Sequence, residues 1–161
     1  MSRPFYIIGF MGTGKSSLKR YLETTNHVID LDEVFERRFG TDIGTYFACH
    51  GEAAFRHRET ELLRTANADF IVTGGGVVER AENLDWMLRN GTVVALDLSF
   101  ETCWERIRHS NRPLVKRGKD SVRALYERRR PLYAQAHLTM DASIGTAAIA
   151  DKLYRLKEED K

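Results

Sequence analysis

Cysteine is nearly absent from this chain of 161 residues. Cys49 and Cys103 are the only two, and they lack the spacing of metal ligands. They read as ordinary thiols of a reducing compartment, which makes the cytoplasm the expected location. Long apolar runs are missing too. None approaches the ~18 to 20 residues of a membrane span, and the run Phe5–Ile8 is too short for a signal peptide, so no membrane partner is expected. A formal net charge of +2 is too small to argue for a nucleic-acid partner. Repeats, low-complexity segments and linkers are likewise absent. With 42% hydrophobic and 30% charged residues, the chain is expected to form one domain over residues 1–161, long enough for a full core.

Against these absences stands one dense motif. Gly9-Phe10-Met11-Gly12-Thr13-Gly14-Lys15-Ser16 follows the apolar run Phe5–Ile8, precedes a helical pattern, and fits G-x-x-x-x-G-K-[ST] at every required position. Glycine is needed there because successive backbone N–H groups must turn inward around phosphate oxygens. Lys15, expected to face solvent, would reach the β- and γ-phosphates. Ser16 would place a hydroxyl on Mg²⁺, and the N-terminus of the following helix would add its positive dipole.

Short apolar runs and amphipathic stretches alternate along the rest of the chain, which is the pattern of an α/β fold with a parallel sheet. A helix is expected from Lys15 to Glu23 burying Leu18, Tyr21 and Leu22, then a strand His27–Ile29 ending at Asp30-Leu31-Asp32. Helical patterns continue through Val34, Phe35 and Phe39 to a stop at Gly40, and again from Gly51 to Thr65. Strands are expected at Phe70–Val72, Thr92–Leu96 and Leu138–Met140. Ser99 should cap a helix carrying Trp104 and Ile107, and a last helix should run from Ile144 to Leu156. Three glycines, Gly74 to Gly76, follow the third strand and imply close approach to a ligand or another segment.

Charge is uneven in one place. From Arg112 to Arg130 eight basic residues face only Asp120 and Glu127. That segment reads either as a solvated helix face or as a basic flap closing over polyphosphate, and it lacks the interleaved aromatics that would track a single nucleic-acid strand. For a Mg²⁺ carboxylate, Asp30 and Asp97 both end apolar runs. Asp30 is favoured, because Asp32 two residues on could then reach a substrate hydroxyl. Glu52, Arg56 and Glu59 recur at helical spacing, which most often marks an exposed salt-bridge face.

Together with the phosphate loop, the motifs Asp30-Leu31-Asp32, Gly51-Glu52 with Phe55-Arg56 and Glu59, Thr73-Gly74-Gly75-Gly76, Arg112-Pro113-Leu114 and Arg129-Arg130-Pro131-Leu132-Tyr133 resemble shikimate kinase from Ile7 to about Asp141. The resemblance implies a P-loop NTPase fold of the nucleoside-monophosphate-kinase type, with a five-stranded parallel sheet in the order 2-3-1-4-5. A mobile lid at about 109–120 and a substrate-binding helical region at about 32–66 go with it. It implies transfer of the ATP γ-phosphoryl group to the 3-hydroxyl of shikimate, with Mg²⁺, by a monomer. ATP would lie on Gly12, Thr13, Gly14, Lys15, Ser16 and Ser17, with Arg106 or Arg108 near adenine. Lys15 and Arg112 would stabilise the migrating phosphoryl group, and Ser16 and Asp30 would serve the metal. Asp32 would hold the substrate hydroxyls, Arg56 and Arg129 its carboxylate, and Gly75 and Gly76 its ring. Phe47, Phe55, Pro113 and Leu114 would wall the pocket. Arg128 and Arg130 flank Arg129 and compete with it for the carboxylate role. The segments Lys15–Asp30 and Arg112–Arg129 are slightly shorter than the family pattern.

Other classes fit less well. A GTP-dependent switch is opposed by the sequence: no Asp has Gly three residues later, and no Asn-Lys-x-Asp occurs. A kinase of another small acid, such as gluconate or an aminoshikimate, is the second enzymatic reading. A silent ligand-binding relative is the third, opposed by the intact set Lys15, Ser16, Asp30, Asp32 and Arg112.

Overall fold

The computed structural model describes residues 3–159. Its centre is β1 (Phe5–Gly9), buried at every position, as a parallel strand covered on both faces must be. β3 (Phe70–Val72) pairs with it on one side, Phe5 opposite Phe70, and β4 (Thr92–Asp97) on the other, Ile7 opposite Val94. β2 (Val28–Asp30) lies outside β3 and β5 (Leu138–Asp141) outside β4. All pairings are parallel, giving the five-stranded order β2-β3-β1-β4-β5 implied by the family resemblance. The phosphate loop, Asp30, the triple glycine and Asp97 therefore all emerge at the carboxyl edge of one sheet, where open α/β sheets bind ligands.

Helices cover the sheet. α1 (Lys15–Leu22) buries Leu18 and Leu22. Tyr21, expected in the core, is 43% exposed, because the apolar stripe leans from Leu18 toward Leu22 and leaves the i+3 position at its edge. α2 (Leu31–Phe39) follows β2 without a loop and ends at Gly40, which takes φ 66 as a left-handed stop. α3 (Ile43–His50) has no fully buried residue, hence no clear period to read in the sequence; its start is fixed by Asp42, whose carboxylate accepts from Thr45 N at 2.7 Å. α4 (Glu52–Thr65) precedes β3, and a 3-10 turn over Val77–Glu79 leads from β3 into α5 (Ala81–Asn90).

Ser99 caps α6 (Phe100–Ile107) as expected. The basic segment resolves into a short 3-10 turn, Val115–Arg117, and a full helix, α7 (Lys119–Tyr133). Val122, Tyr126, Arg129 and Tyr133 form its buried stripe, while Lys119 and Arg123 pair with Glu101 on the surface. The solvated-face reading therefore describes those lysine and arginine positions, and Arg129 departs from it. α8 (Thr146–Glu159) buries Ile149, Ala150 and Leu153. It begins beyond Ile144, which sits exposed in the 3-10 turn Ala142–Ile144.

Candidate active site

The carboxyl edge encloses a cavity of about 1000 Å³, large enough for two small molecules together. Every residue assigned above to nucleotide, metal or acid lines it: the loop residues Gly12–Ser17, Asp30, Asp32, Phe47, Phe55, Arg56, Gly75, Gly76, Arg106, Arg112, Pro113, Leu114 and Arg129. Among the competing arginines the geometry discriminates. Arg106 lines the cavity and donates to Gly12 O at 3.0 Å, while Arg108 pairs with Glu105 on the surface. Arg129 is 1% exposed and borders the cavity; Arg128 lies outside it, and Arg130 edges a separate 210 Å³ hollow beside Asp97.

The phosphate loop takes a shape that its sequence alone permits. Gly12 and Gly14 have φ of 86° and 103°, and a Cβ on Gly12 would lie 2.9 Å from Cys103 O in α6. Thr13 Oγ1 ties the loop to Phe10 O at 2.9 Å. Lys15 is half-buried rather than solvent-facing, with Nζ folded onto the carbonyls of Gly9 and Phe10. Burial lowers its pKa to about 8, against the opposing pull of the Asp32 carboxylate.

Asp30 has two claims on it. Its Oδ1 caps α2, accepting from Asp32 N at 2.9 Å and Glu33 N at 3.3 Å, which leaves Oδ2 uncommitted. Burial raises its pKa. Ser16, exposed at the start of α1, lines the same cavity. A hydroxyl and a carboxylate form the hard-oxygen donor set that Mg²⁺ accepts. Among the described residues no group of three or more His, Cys, Asp or Glu could hold a metal ion. Such a sparse set suits Mg²⁺, which keeps several waters and takes phosphate oxygens as ligands.

At the other end of the cavity lies the Glu52–Arg56–Glu59 series, and it is not an exposed face. Arg56 is 9% and Glu59 3% exposed, joined at 3.0 Å, with Glu52 at 3.3 Å from the other terminal nitrogen. Phe55 and Phe47 flank the guanidinium, their centroids 5.2 and 6.0 Å from its carbon. A Cβ on Gly76 would fall 2.2 Å from Arg56 Nη2, so glycine is required for the arginine to lie where it does. Across the triple glycine, Arg129 Nη1 is 3.4 Å from the corresponding point on Gly75, and Tyr133 donates its hydroxyl proton to Gly75 O. Among the described residues, Arg56 Nε, Glu59 Oε2 and Arg129 Nη2 are buried without hydrogen-bond partners, the signature of a site built for a polar ligand. Between the two ends sits Asp32. Burial, followed by the charges of Glu59 and Asp30, raises its pKa to about 7, with Lys15 and Arg56 pulling the other way.

Several cavity residues escaped the sequence reading. Ser110 and Asn111 precede Arg112, and Ala142, Gly145, Thr146 and Ile149 close the cavity beyond β5. A glycine shortly after a strand, Gly145, was the available sign.

The family model for shikimate kinase matches residues 11–157. The chain belongs to the shikimate kinase family. A shikimate kinase of Bacillus cereus (strain AH187) is 40% identical, the match covering 98% of each chain. The solved shikimate kinase from Acinetobacter baumannii in complex with shikimate superposes with a TM-score of 0.89 at 33% identity, over 100% of this chain and 96% of that one. A gluconokinase from Sinorhizobium meliloti shares the fold alone, with a TM-score of 0.53 and 17% identity over 98% and 94% of the two chains. Shikimate kinase membership makes this an ATP-dependent kinase with a hydroxyl acceptor, and it supports the shikimate reading over the other small acids. Among the described residues no helix is long and apolar enough to cross a membrane.

Proposed function

We propose that the chain phosphorylates the 3-hydroxyl of shikimate at the expense of ATP, with each end of the cavity taking one reactant. The observation that carries this reading is that one cavity is lined by Lys15 of the phosphate loop and by the buried Arg56 and Arg129, with Asp32 under the charges of both Lys15 and Arg56. Polyphosphate sits on the backbone N–H groups of the loop from Gly12 to Ser17, at the N-terminus of α1. Arg106 lies at the adenine side. Lys15 exchanges its two loop carbonyls for phosphate oxygens. Ser16 and the uncommitted Oδ2 of Asp30 would hold Mg²⁺, which when bound would supply positive charge to offset that of the transferring phosphates.

Arg56 and Arg129 hold the acid's carboxylate, since guanidinium groups donate paired hydrogen bonds to a planar anion. Gly75 and Gly76 meet the ring, and Phe47, Phe55, Pro113 and Leu114 surround it. Asp32 accepts hydrogen bonds from the acceptor hydroxyls. With its pKa close to neutral, it can also take the proton that the attacking oxygen loses. Phosphoryl transfer has a loose transition state, so alignment and charge stabilisation by Lys15 and Arg112 supply most of the catalysis. Residues 109–120 serve as the lid and residues 32–66 as the acid-binding region. This division is supported by the approach of Pro113 Cγ to 3.6 Å from where a Gly44 Cβ would stand.

The protein acts as a monomer, and the two free cysteines agree with the cytoplasm. A coupled ADP-release assay with shikimate, with gluconate and with no acceptor tests the reading. Turnover that requires shikimate is the expected result. Equal turnover with gluconate would point to a broader acid kinase.

A further inference from the structure

Glu79 has no part in the assignments above, yet it is the residue that fixes Arg129. It ends the 3-10 turn immediately after the triple glycine, and its side chain is 21% exposed. Its Oε1 accepts from Arg129 Nε at 2.9 Å; its Oε2 accepts from Arg128 Nη2 at 2.8 Å, on the solvent side. The turn is a firm base. Val77 and Val78 are buried, Asn83 Nδ2 donates to Val77 O at 2.9 Å, and Glu79 N donates to Gly76 O at 3.0 Å. α7 is tied down one turn beyond Arg129 by the bond from Tyr133 to Gly75 O. Glu79 stays ionised: burial alone would raise its pKa, but the two arginines hold it below the usual carboxylate value.

A long side chain such as arginine has many rotamers, and ordering one costs conformational entropy. Glu79 binds the guanidinium at Nε, its inner end, leaving the terminal nitrogens for a ligand, and one of them, Nη2, is buried with no partner among the described residues. We propose that Glu79 is a positioning residue for acid recognition, holding Arg129 beside Gly75 so that its terminal nitrogens meet the substrate carboxylate without first being ordered. The proposal rests on the reading of Arg129 as a carboxylate ligand. It separates the flanking arginines by role: Arg128 serves as an outer counter-ion of Glu79, and Arg129 as the ligand.

Steady-state kinetics on the full chain test this with Glu79→Ala, Glu79→Gln, Arg128→Ala and Arg129→Lys. Glu79→Ala should raise KM for shikimate about 10-fold, as loss of alignment does, while KM for ATP stays within about twofold. Glu79→Gln keeps a carbonyl acceptor for Nε and should restore KM to within about threefold of native. Arg128→Ala should leave it unchanged. Because Glu79 acts through Arg129, adding Glu79→Ala to Arg129→Lys should raise KM much less than it does alone. Glu79→Asp, one methylene too short, gives the same readout should the alanine variant fold poorly. If Arg129→Lys raises KM for shikimate and neither Glu79→Ala nor Glu79→Asp does, the positioning role is wrong. A parallel rise in both KM values with a lowered Tm would reduce Glu79 to a structural salt bridge. If Arg129→Lys itself leaves KM for shikimate unchanged, the carboxylate assignment fails instead.

Discussion

Asp32 and Glu59 bring two carboxylates together over Gly74: a Cβ on that glycine would lie 2.9 Å from Asp32 Oδ1 and 3.2 Å from the unpartnered Oε2 of Glu59. Arg56 partners Glu59 at 3.0 Å, so the surplus negative charge falls on Asp32. Its pKa rises from 3.8 to about 7, burial being the larger cause and Glu59 the next.

That shift has a stability consequence. Between about pH 4 and 7 the folded protein holds a proton on Asp32 that the unfolded chain releases, so Asp32 makes stability fall as pH rises through this window. Asp32→Asn removes the dependence. The variant should be more stable than native by about 1–4 kcal/mol above pH 7, from about three pKa units at ~1.4 kcal/mol each as the ceiling. The gain should vanish below pH 4. Thermal melts at pH 4.0 and 8.0 measure it, at about 2–4 °C per kcal/mol. Equal gains at both pH values would show that Asp32 is not strained by ionisation.

The same two groups shape the pH dependence of turnover. Asp32 must lose its proton near pH 7 and Lys15 must keep its own, which it loses near pH 8. The rate with both substrates subsaturating, which reports the free enzyme, should therefore be bell-shaped in pH with flanks at about those values. Bound phosphates favour the charged lysine, so the alkaline flank of kcat should move upward. Lys15→Arg should abolish the alkaline flank altogether, and its persistence in that variant would assign the flank to another group.

How much of this was readable in the sequence follows from what each residue depends on. The phosphate loop, the parallel α/β class and the triple glycine were legible because local rules govern them: left-handed φ at Gly12 and Gly14, and short apolar runs alternating with helices. The strand order came only with the family resemblance, because no local rule sets which strands lie side by side. α3 was not, because a helix without a buried stripe leaves no period. The burial of Arg56 and Glu59 was invisible for the opposite reason. Their spacing is that of a surface pair, and only the packing of α4 against Gly74 and Gly76 turns them inward. Glu79 carried no signal, since its partner lies 50 residues away.

Lys15→Met should cut kcat by about 10³-fold or more, the scale of losing a preorganised charge on the transferring group. The fold should persist, because among the described residues Lys15 bonds only to carbonyls of its own loop. Circular dichroism and a melt within a few degrees of native check the second point. A variant retaining most of its shikimate-dependent ADP release would remove Lys15 from the mechanism.

Arg112 is exposed at the cavity rim, in the stretch before the Val115–Arg117 turn. If it meets phosphate only on closure, Arg112→Ala should lower kcat by about 10²-fold and change KM for shikimate little. Limited proteolysis near Lys116 to Lys119 should slow when nucleotide and shikimate are both present. Cleavage at the same rate with and without them would argue against a moving lid.

The space over Gly76 is filled by the guanidinium of Arg56. A Cβ there would lie 2.2 Å from Arg56 Nη2, 2.4 Å from its central carbon and 2.4 Å from Nη1, so Gly76→Ala must displace the guanidinium. Phe55 and Phe47 lie against it and Glu59 holds Nη1, so the group has little room to shift and still point into the cavity. Charge-assisted hydrogen bonds to a carboxylate are worth about 1.5–3 kcal/mol, which makes the expected rise in KM for shikimate about 10- to 100-fold. ATP, bound at the opposite end, should be unaffected. Some stability should be lost as well, so the affinity effect needs a control that folding cannot mimic. An analogue with a primary alcohol in place of the carboxylate provides it: it should be a poor substrate for the native enzyme and lose little further with Gly76→Ala, because both changes remove the same contact. Measuring kcat/KM for the four combinations gives the coupling directly. If the two losses simply add, Arg56 does not meet the carboxylate, and the close packing of Gly76 serves only to seat a buried ion pair.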